Sequence, residues 1–341
     1  MTWFERLTGF AEGNYDVVRS KLEVDGQTLR SRVNGQGFRI GTLELASLGE
    51  LRTRALTEPT AAGKPRFSIV QGDARKLHAQ KEYNRALFQV ASQFNLLEMT
   101  SPNVTPEDGV GRYQTDPTQG PACAIAAGAA TIYRNYFALV DGQPGQRADR
   151  QLDGLGDLGQ ALSVALGVPV TSLWSMRNGY ALCTQQGLEL INEHLASLAP
   201  IALDALRSKL RIGLHWDVEV TDGEVENRPL VSQAFCSALP VAYSHLSHVN
   251  WQPFASLILE ASYEATLLGA ILNARRGASK TVLLTLVGGG VFGNERDWIL
   301  GAIRRALRVI RGHDVDVRVV SYGHIPEDLR ALAANAGEIL T

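Results

Sequence analysis

Cysteine is scarce. Only Cys123, Cys183 and Cys236 occur in 341 residues, an odd number at wide spacing and with no C-x-x-C, which argues against a disulfide framework and against a thiolate zinc site. A reducing cytosol is the compartment this usage implies. An excess of either charge is also missing: 33 Lys and Arg stand against 35 Asp and Glu. The electrostatic footprint of a duplex-binding protein is therefore absent at whole-chain level, and nucleic acid is not expected as the main partner. No uninterrupted apolar run reaches membrane-spanning length; the Ala-rich segment from Ala122 ends at Ile132, before Tyr133-Arg-Asn135. The start, Met1-Thr-Trp-Phe-Glu-Arg-Leu7, lacks the basic residues and apolar stretch of a signal peptide. Internal repeats and low-complexity tracts are lacking too. With 45% apolar and 20% charged residues, the expectation is a soluble, cytoplasmic globular protein with a sizeable core and no membrane partner.

What is present is an alternation of strand and helix patterns. A short helical start (Trp3 to Phe10) and strand-like pieces at Lys21–Val24 and Phe38–Gly41 precede Glu58-Pro-Thr-Ala-Ala-Gly-Lys-Pro65, whose Pro and Gly punctuation marks a connection. This predicts an N-terminal extension, 1–64, packed on a catalytic domain, 65–341, with an insertion around 141–230. Arg66 to Gln71 reads as the first core strand. Tyr83, Leu87, Val90 and Phe94 recur at near-helical spacing and predict a helix over 81–97. A Gly- and acid-rich loop (Ser101 to Pro117) leads into a helix of small residues, Thr118 to Phe137. Asp141 to Asp157 reads as a surface excursion. A helical pattern, Leu188 to Leu210, is followed by alternation at Ile212, Leu214, Trp216, Val218 and Val220, a half-buried strand. Gln233 to Tyr243 is strand-like and Ala255 to Arg276 is a long helix. Thr281 to Val287 is a continuous apolar run of buried-strand type. A helix (Trp298 to Arg311), a strand (Val315 to Ser321) and a last helix opened by Pro326-Glu-Asp328 complete the chain. Strands alternating with helices imply a layered α/β fold with a mainly parallel or mixed sheet.

The strongest motif is Gly288-Gly-Gly-Val-Phe-Gly-Asn294, between a buried strand and a helix. Successive residues without Cβ let backbone N–H groups approach a phosphate; a tight turn without ligand needs the same letters. Gly288, Gly290 and Gly293 also satisfy G-x-G-x-x-G, so a nicotinamide-dependent oxidoreductase is an alternative. Two features weaken it: too little chain follows for a β-α-β-α-β unit, and the next strand ends in Ser321-Tyr322 rather than in a ribose-binding acid. Asp73, at the end of the first core strand, is placed to accept a hydrogen bond from an adenine amine or to cap a helix. Among Glu107, Asp108 and Asp116, carboxylates on a Gly-rich loop suit orienting a water or holding a departing guanidinium; Asp116, followed by Pro117, equally suits a helix cap. Gln93 and Asn95 form an amide pair able to contact a ribose or to close a helix. His245 and His248 are three apart without a third ligand, and no metal is expected.

Taken together, Val70-Gln-Gly-Asp73, Asn95 and Leu286-Val-Gly-Gly-Gly-Val-Phe-Gly-Asn294 resemble the ordered elements of a macrodomain. More narrowly, Gln93-Phe-Asn-Leu-Leu-Glu98, Tyr113-Gln-Thr-Asp-Pro-Thr-Gln-Gly-Pro-Ala122, Tyr133-Arg-Asn-Tyr136, Cys236-Ser-Ala-Leu-Pro-Val-Ala-Tyr-Ser244 and Tyr263-Glu-Ala-Thr266 resemble the divergent arginine-specific, MavL-like macrodomain family, over roughly residues 35 to 325. The resemblance implies a three-layer α/β/α fold with a mixed central sheet, related to that of poly-ADP-ribose glycohydrolases, and removal of ADP-ribose from protein arginine without metal or cofactor. It implies Asp73 at the adenine, and Gln93 and Asn95 at the ligand. Gly288, Gly289, Gly290, Val291, Phe292, Gly293 and Asn294 would wrap the diphosphate and distal ribose, with Asp108 and Asp116 at the scissile bond. ADP-ribose and ADP-ribosylated protein are then the expected partners, a non-catalytic ADP-ribose reader being the alternative.

Overall fold

The computed structural model describes residues 1–57, 63–222 and 228–340; of the connection read at 58–65, residues 58–62 lie outside the described residues. The central sheet has seven strands: β1 (Thr42–Ser47), β2 (Arg66–Gln71), β3 (Leu87–Ala91), β4 (Arg211–Glu219), β5 (Leu230–Cys236), β6 (Thr281–Leu284) and β7 (Asp316–Ser321). Their spatial order is β1-β4-β5-β3-β6-β7-β2. The five strands from β5 to β2 run parallel, while β4 is antiparallel to both β5 and β1. The sheet is therefore mixed.

Helices cover both faces, giving three layers. The named helices are α1 (Leu48–Leu56), α2 (Gln119–Ala126), α3 (Gly128–Tyr136), α4 (Gln185–Ser197), α5 (His248–Arg275), α6 (Arg296–Val309) and α7 (Glu327–Ala334). On one face α5 packs against α6, α1 and α4; on the other, α2 and α3 lie over β3 and β4. Alternate residues of each central strand serve the two cores: Leu87, Ala234 and Val282 belong to the α5 side, Phe88, Val231 and Leu283 to the opposite side. Helix α5 is long and apolar enough to cross a membrane by length and composition, but most of it is buried inside the fold.

Several local expectations change. The pattern over 81–97 forms a single 3-10 turn, Lys81–Tyr83, and then strand β3. Strand β3 is buried on both faces, and apolar side chains at Leu87, Phe88 and Val90 satisfy a helical period as well as a buried strand. The small-residue helix is two helices, broken at Ala127 (φ −115°, ψ 59°). The break brings Gly128 against the N-terminal segment, where a Cβ would come within 2.8 Å of Trp3 and Leu7 side chains. The helical pattern from Leu188 is likewise divided, α4 ending before a second helix at Pro200–Arg207. Not all of 141–157 is surface: Gln146 is fully buried, its Nε2 donating to the carbonyls of Asn95 and Arg134 at 3.1 Å. The sheet also crosses the expected divisions, because β1 lies within 1–64 and β4 within 141–230. Residues before β1 pack through Trp3, Phe4, Leu7 and Tyr15 onto Ile125, Ala129, Ile132 and Tyr136.

Candidate functional site

Parallel strands end together, so the loops that follow them share one edge of the sheet, the usual place for ligands in α/β proteins. Here the ends of β2, β7, β6, β3 and β5 border one cleft of about 1090 Å³, lined among others by Asp73, Tyr322, Gly290, Gln93 and Ala238. Four inter-strand spacings make it about 19 Å from the β2 end to the β5 end.

The glycine loop crosses the middle. Gly288 and Gly293 have φ of +80° and +69°, and the loop lies tight on 238–242: a Cβ at Gly288 would be 2.5 Å from that of Ala238, and one at Gly293 2.8 Å from that of Ala242. These two glycines are demanded by the backbone. Gly290 is different, since a Cβ there meets nothing within 4 Å. The loop closes on itself through Gly293 N–H to Gly290 O (3.0 Å) and Asn294 N–H to Gly288 O (2.9 Å). The N–H groups of Gly290, Val291 and Phe292 find no acceptor among the described residues. Successive unsatisfied N–H groups on the rim of a cleft form a seat for an anion. Gly288 to Phe292 and Asn294 line the cleft, whereas Gly293 does not. Asn294 donates through Nδ2 to Leu239 O (2.8 Å) and Gly288 O (3.3 Å), and its buried Oδ1 has no partner among the described residues.

Asp73 lines the cleft at the β2 end and also caps the short helix Ala74–His78, Oδ1 accepting from Arg75 N–H at 2.9 Å. Asp116 lines the cleft too. Its Oδ1 accepts from Thr118 N–H (2.9 Å) and Thr118 Oγ (2.6 Å) at the entrance of α2. Asp73 and Asp116 thus each engage Oδ1 in these hydrogen bonds, and the second oxygen of each has no partner among the described residues. Phe292, Tyr180 and Tyr243 pack ring to ring beside Asp116, with centroids 5.3 to 5.7 Å apart. Burial first, then the neighbouring Tyr243 and the Asp116 charge, raise the Tyr180 phenol above its ordinary range.

Two further expected site residues lie outside the cleft lining, and a third lines it with its amide already engaged. Asp108 is outside the cleft lining; its Oδ2 accepts from the N–H (2.9 Å) and Oγ (3.2 Å) of Thr105, closing the turn Pro106–Asp108. Asn95 is fully buried and also outside, with Nδ2 on Gln151 (2.8 Å) and Oδ1 accepting from Leu97 N–H (3.0 Å). Gln93 lines the cleft, yet its amide is engaged by Met99 N–H (2.6 Å), Met99 O and Tyr180 Oη (both 3.2 Å). His248 binds the Glu295 carboxylate, and among the described residues no group of three or more metal-ligating side chains gathers.

One charge pair beside the cleft escaped the sequence reading. Glu98 and Arg134 are both buried, Nη2 lying 3.1 Å and 3.3 Å from the two carboxylate oxygens, with the guanidinium 3.8 Å over the Phe235 ring. Burial pushes the Glu98 carboxyl up to about 7 against the opposing pull of Arg134. Glu98 N–H donates to Tyr113 Oη at 3.2 Å, tying this pair to the acid-rich loop. Both residues lie in the motifs Gln93–Glu98 and Tyr133-Arg-Asn-Tyr136, but a separation of 36 residues hides their pairing.

No protein-family model matches the chain, and no curated protein matches it. Similar solved structures include the poly(ADP-ribose) glycohydrolase of Thermomonospora curvata (13% identity, 94% of this chain and 95% of that one, TM-score 0.45). The same enzyme bound to the inhibitor ADP-HPD has a TM-score of 0.42 at 13% identity, covering 94% of this chain and 95% of that one. A mutant glycohydrolase of Deinococcus radiodurans in complex with ADP-ribose is 12% identical, with 86% of this chain and 92% of that one covered and a TM-score of 0.41.

Proposed function

We propose that the cleft binds ADP-ribose and that the protein hydrolyses the N-glycosidic bond joining it to a modified arginine side chain. The observation that carries this reading is the order of groups along one cleft: a carboxylate at the β2 end, acceptor-less N–H groups of Gly290, Val291 and Phe292 in the middle, and Asp116 beside aromatic rings. An adenine amine, a diphosphate and a cationic leaving group need those partners in that sequence. Asp73 takes the adenine end, the loop takes the diphosphate, and the distal ribose lies between Phe292 and Asp116.

Asp116 keeps one oxygen for chemistry while the other holds Thr118. That oxygen accepts a proton from the water that attacks the anomeric carbon; the C–N bond breaks, and the departing guanidine receives the proton as it becomes a guanidinium. A planar guanidinium suits a carboxylate flanked by ring faces. Asp108, away from the cleft, shapes the loop instead.

Incubating the protein with arginine- and serine-ADP-ribosylated substrates, and measuring free ADP-ribose, tests the reading. Release from arginine and not from serine supports it. Tight ADP-ribose binding with no release from either linkage makes the protein a reader. Weak binding together with hydride transfer to a nicotinamide would return the glycine loop to the oxidoreductase alternative.

A further inference from the structure

The loop that carries Asp116 is held from below by the N-terminal segment. Gly111–Thr115 is a short 3-10 helix with Val110 before it and Asp116 closing it through Asp116 N–H to Tyr113 O at 3.1 Å. The first N–H groups of such a helix have no partner of their own. Here Glu12, from the connection between the helices Trp3–Thr8 and Tyr15–Ser20, supplies both: Oε1 accepts from Val110 N–H at 2.9 Å and Oε2 from Gly111 N–H at 2.5 Å. Tyr136 Oη on α3 donates a third hydrogen bond to Oε1 at 2.7 Å.

The fit is built on both sides. A Cβ at Gly109 would lie 2.5 Å from the Glu12 carboxyl carbon, and one at Gly111 2.6 Å from Oε2. The loop therefore gives up side chains at the two positions where the carboxylate enters. Gly109 also holds a φ of +80°. The clamp sits at one end of the 3-10 helix and Asp116 at the other, five residues on and about 10 Å away at the rise of such a helix. The loop's earlier turn is tied separately, Asn135 Nδ2 donating to Pro106 O at 3.0 Å.

We infer that Glu12 is a positioning residue for the hydrolysis: by holding the start of the helix that Asp116 ends, it fixes the direction of the Asp116 carboxylate, and the N-terminal segment is part of the active site. The inference rests on the proposed hydrolysis, with Asp116 at the reacting carbon. Glu12 touches no substrate, so its loss falls on kcat and leaves ADP-ribose binding by the glycine loop in place.

The experiment measures kcat and KM on an arginine-ADP-ribosylated protein, the Kd of ADP-ribose by calorimetry, and Tm, for wild type, Glu12→Gln and Glu12→Ala. Expected is a kcat lower by about tenfold or more in both variants with Kd within about twofold, and partial recovery of Glu12→Ala by added acetate, which refills the carboxylate site. If Glu12→Ala does not fold, Glu12→Gln, of the same shape, decides by kcat and Kd. Unchanged kcat, or a Kd that weakens in step with kcat, overturns the inference. Should wild type bind ADP-ribose yet release none from arginine, the hydrolase reading fails by itself. The clamp is then judged by amide exchange: acceleration in Glu12→Gln confined to 105–117 upholds the anchoring, and acceleration spread over the chain, or none, overturns it.

Discussion

Asp116→Asn separates chemistry from architecture at one atom. Oδ1 of Asp116 accepts two hydrogen bonds from Thr118, from N–H at 2.9 Å and from Oγ at 2.6 Å. Asparagine keeps that oxygen and places an NH₂ where the second oxygen stood. Alanine removes everything. Each hydrogen bond contributes about 0.5 to 1.5 kcal/mol, and loss of both costs about 1.5 kcal/mol once water replaces part of them. Unfolding entropy near 2.1 cal/mol/K per residue makes about 0.7 kcal/mol/K for 341 residues. Asp116→Ala is therefore expected to melt about 2 °C below wild type, and Asp116→Asn within about 1 °C of it. Turnover divides the variants differently: both are expected to lose about a hundredfold or more in kcat, near 2.7 kcal/mol of transition-state stabilisation, with ADP-ribose affinity little changed. Differential scanning calorimetry, release of free ADP-ribose and binding calorimetry read the three quantities. An Asp116→Asn protein that melts like wild type and retains its turnover refutes the assignment of the reacting carboxylate. One that melts several degrees lower shows instead that the charge itself holds the loop.

Gly290→Val meets open space and should fold with a native circular dichroism spectrum while ADP-ribose affinity in calorimetry falls by about tenfold or more; unchanged affinity removes the loop from the site. Gly288→Ala, by contrast, adds a Cβ 2.5 Å from Ala238 at a φ of +80° and should lower Tm measurably. His78 is buried, with Nδ1 2.7 Å from Ala74 O and its ring stacked on Phe88, and burial lowers its pKa from 6.5 to about 4. The unfolded chain then binds the proton more tightly, so this stability is present above pH 6.5 and is lost as pH falls towards 4, about 3 kcal/mol in all. Glu98, raised to about 7, acts in the opposite direction between pH 4.5 and 7, so the comparison is with His78→Gln, whose denaturant-unfolding free energy should fall less steeply between pH 6.5 and 4; parallel slopes would refute a neutral buried His78. Glu98→Gln strands an arginine that cannot lose its proton and should cost about 3 kcal/mol or more, whereas Arg134→Met leaves a carboxyl that takes up a proton and should cost less. The reverse order in urea melts would contradict that account.

Local signals were legible where local physics decides. The apolar run that begins with β6, the glycine loop and helix α6 form a strand-turn-helix whose constraints lie within about thirty consecutive residues, and the two glycines with positive φ are demanded by that turn. The presence of an α/β layered fold followed from the alternation of such units. Strand β3 was not legible, because a strand buried on both faces carries no period of its own and its neighbours β5 and β6 are more than a hundred residues away. The two acids of the loop read alike, and their distinction is tertiary: the turn at Thr105 consumes Asp108 away from the cleft, while Asp116 lines the cleft and has one oxygen without a partner among the described residues. Asn95 likewise kept its place in the motif and lost its side chain to Gln151. Glu12 carried no sequence mark, and Arg134 stood in the Tyr133–Tyr136 motif without a partner to name, since a carboxylate that caps a helix 98 residues away, or a guanidinium that meets its acid only inside the core, is selected by packing. The sequence by itself determined the alternation of strand and helix units in the last third of the chain and the glycine loop, because backbone conformation and periodicity are local. Which carboxylates face the cleft and which are spent on structure was decided only by the folded chain, because that depends on the donors that distant segments bring to each oxygen.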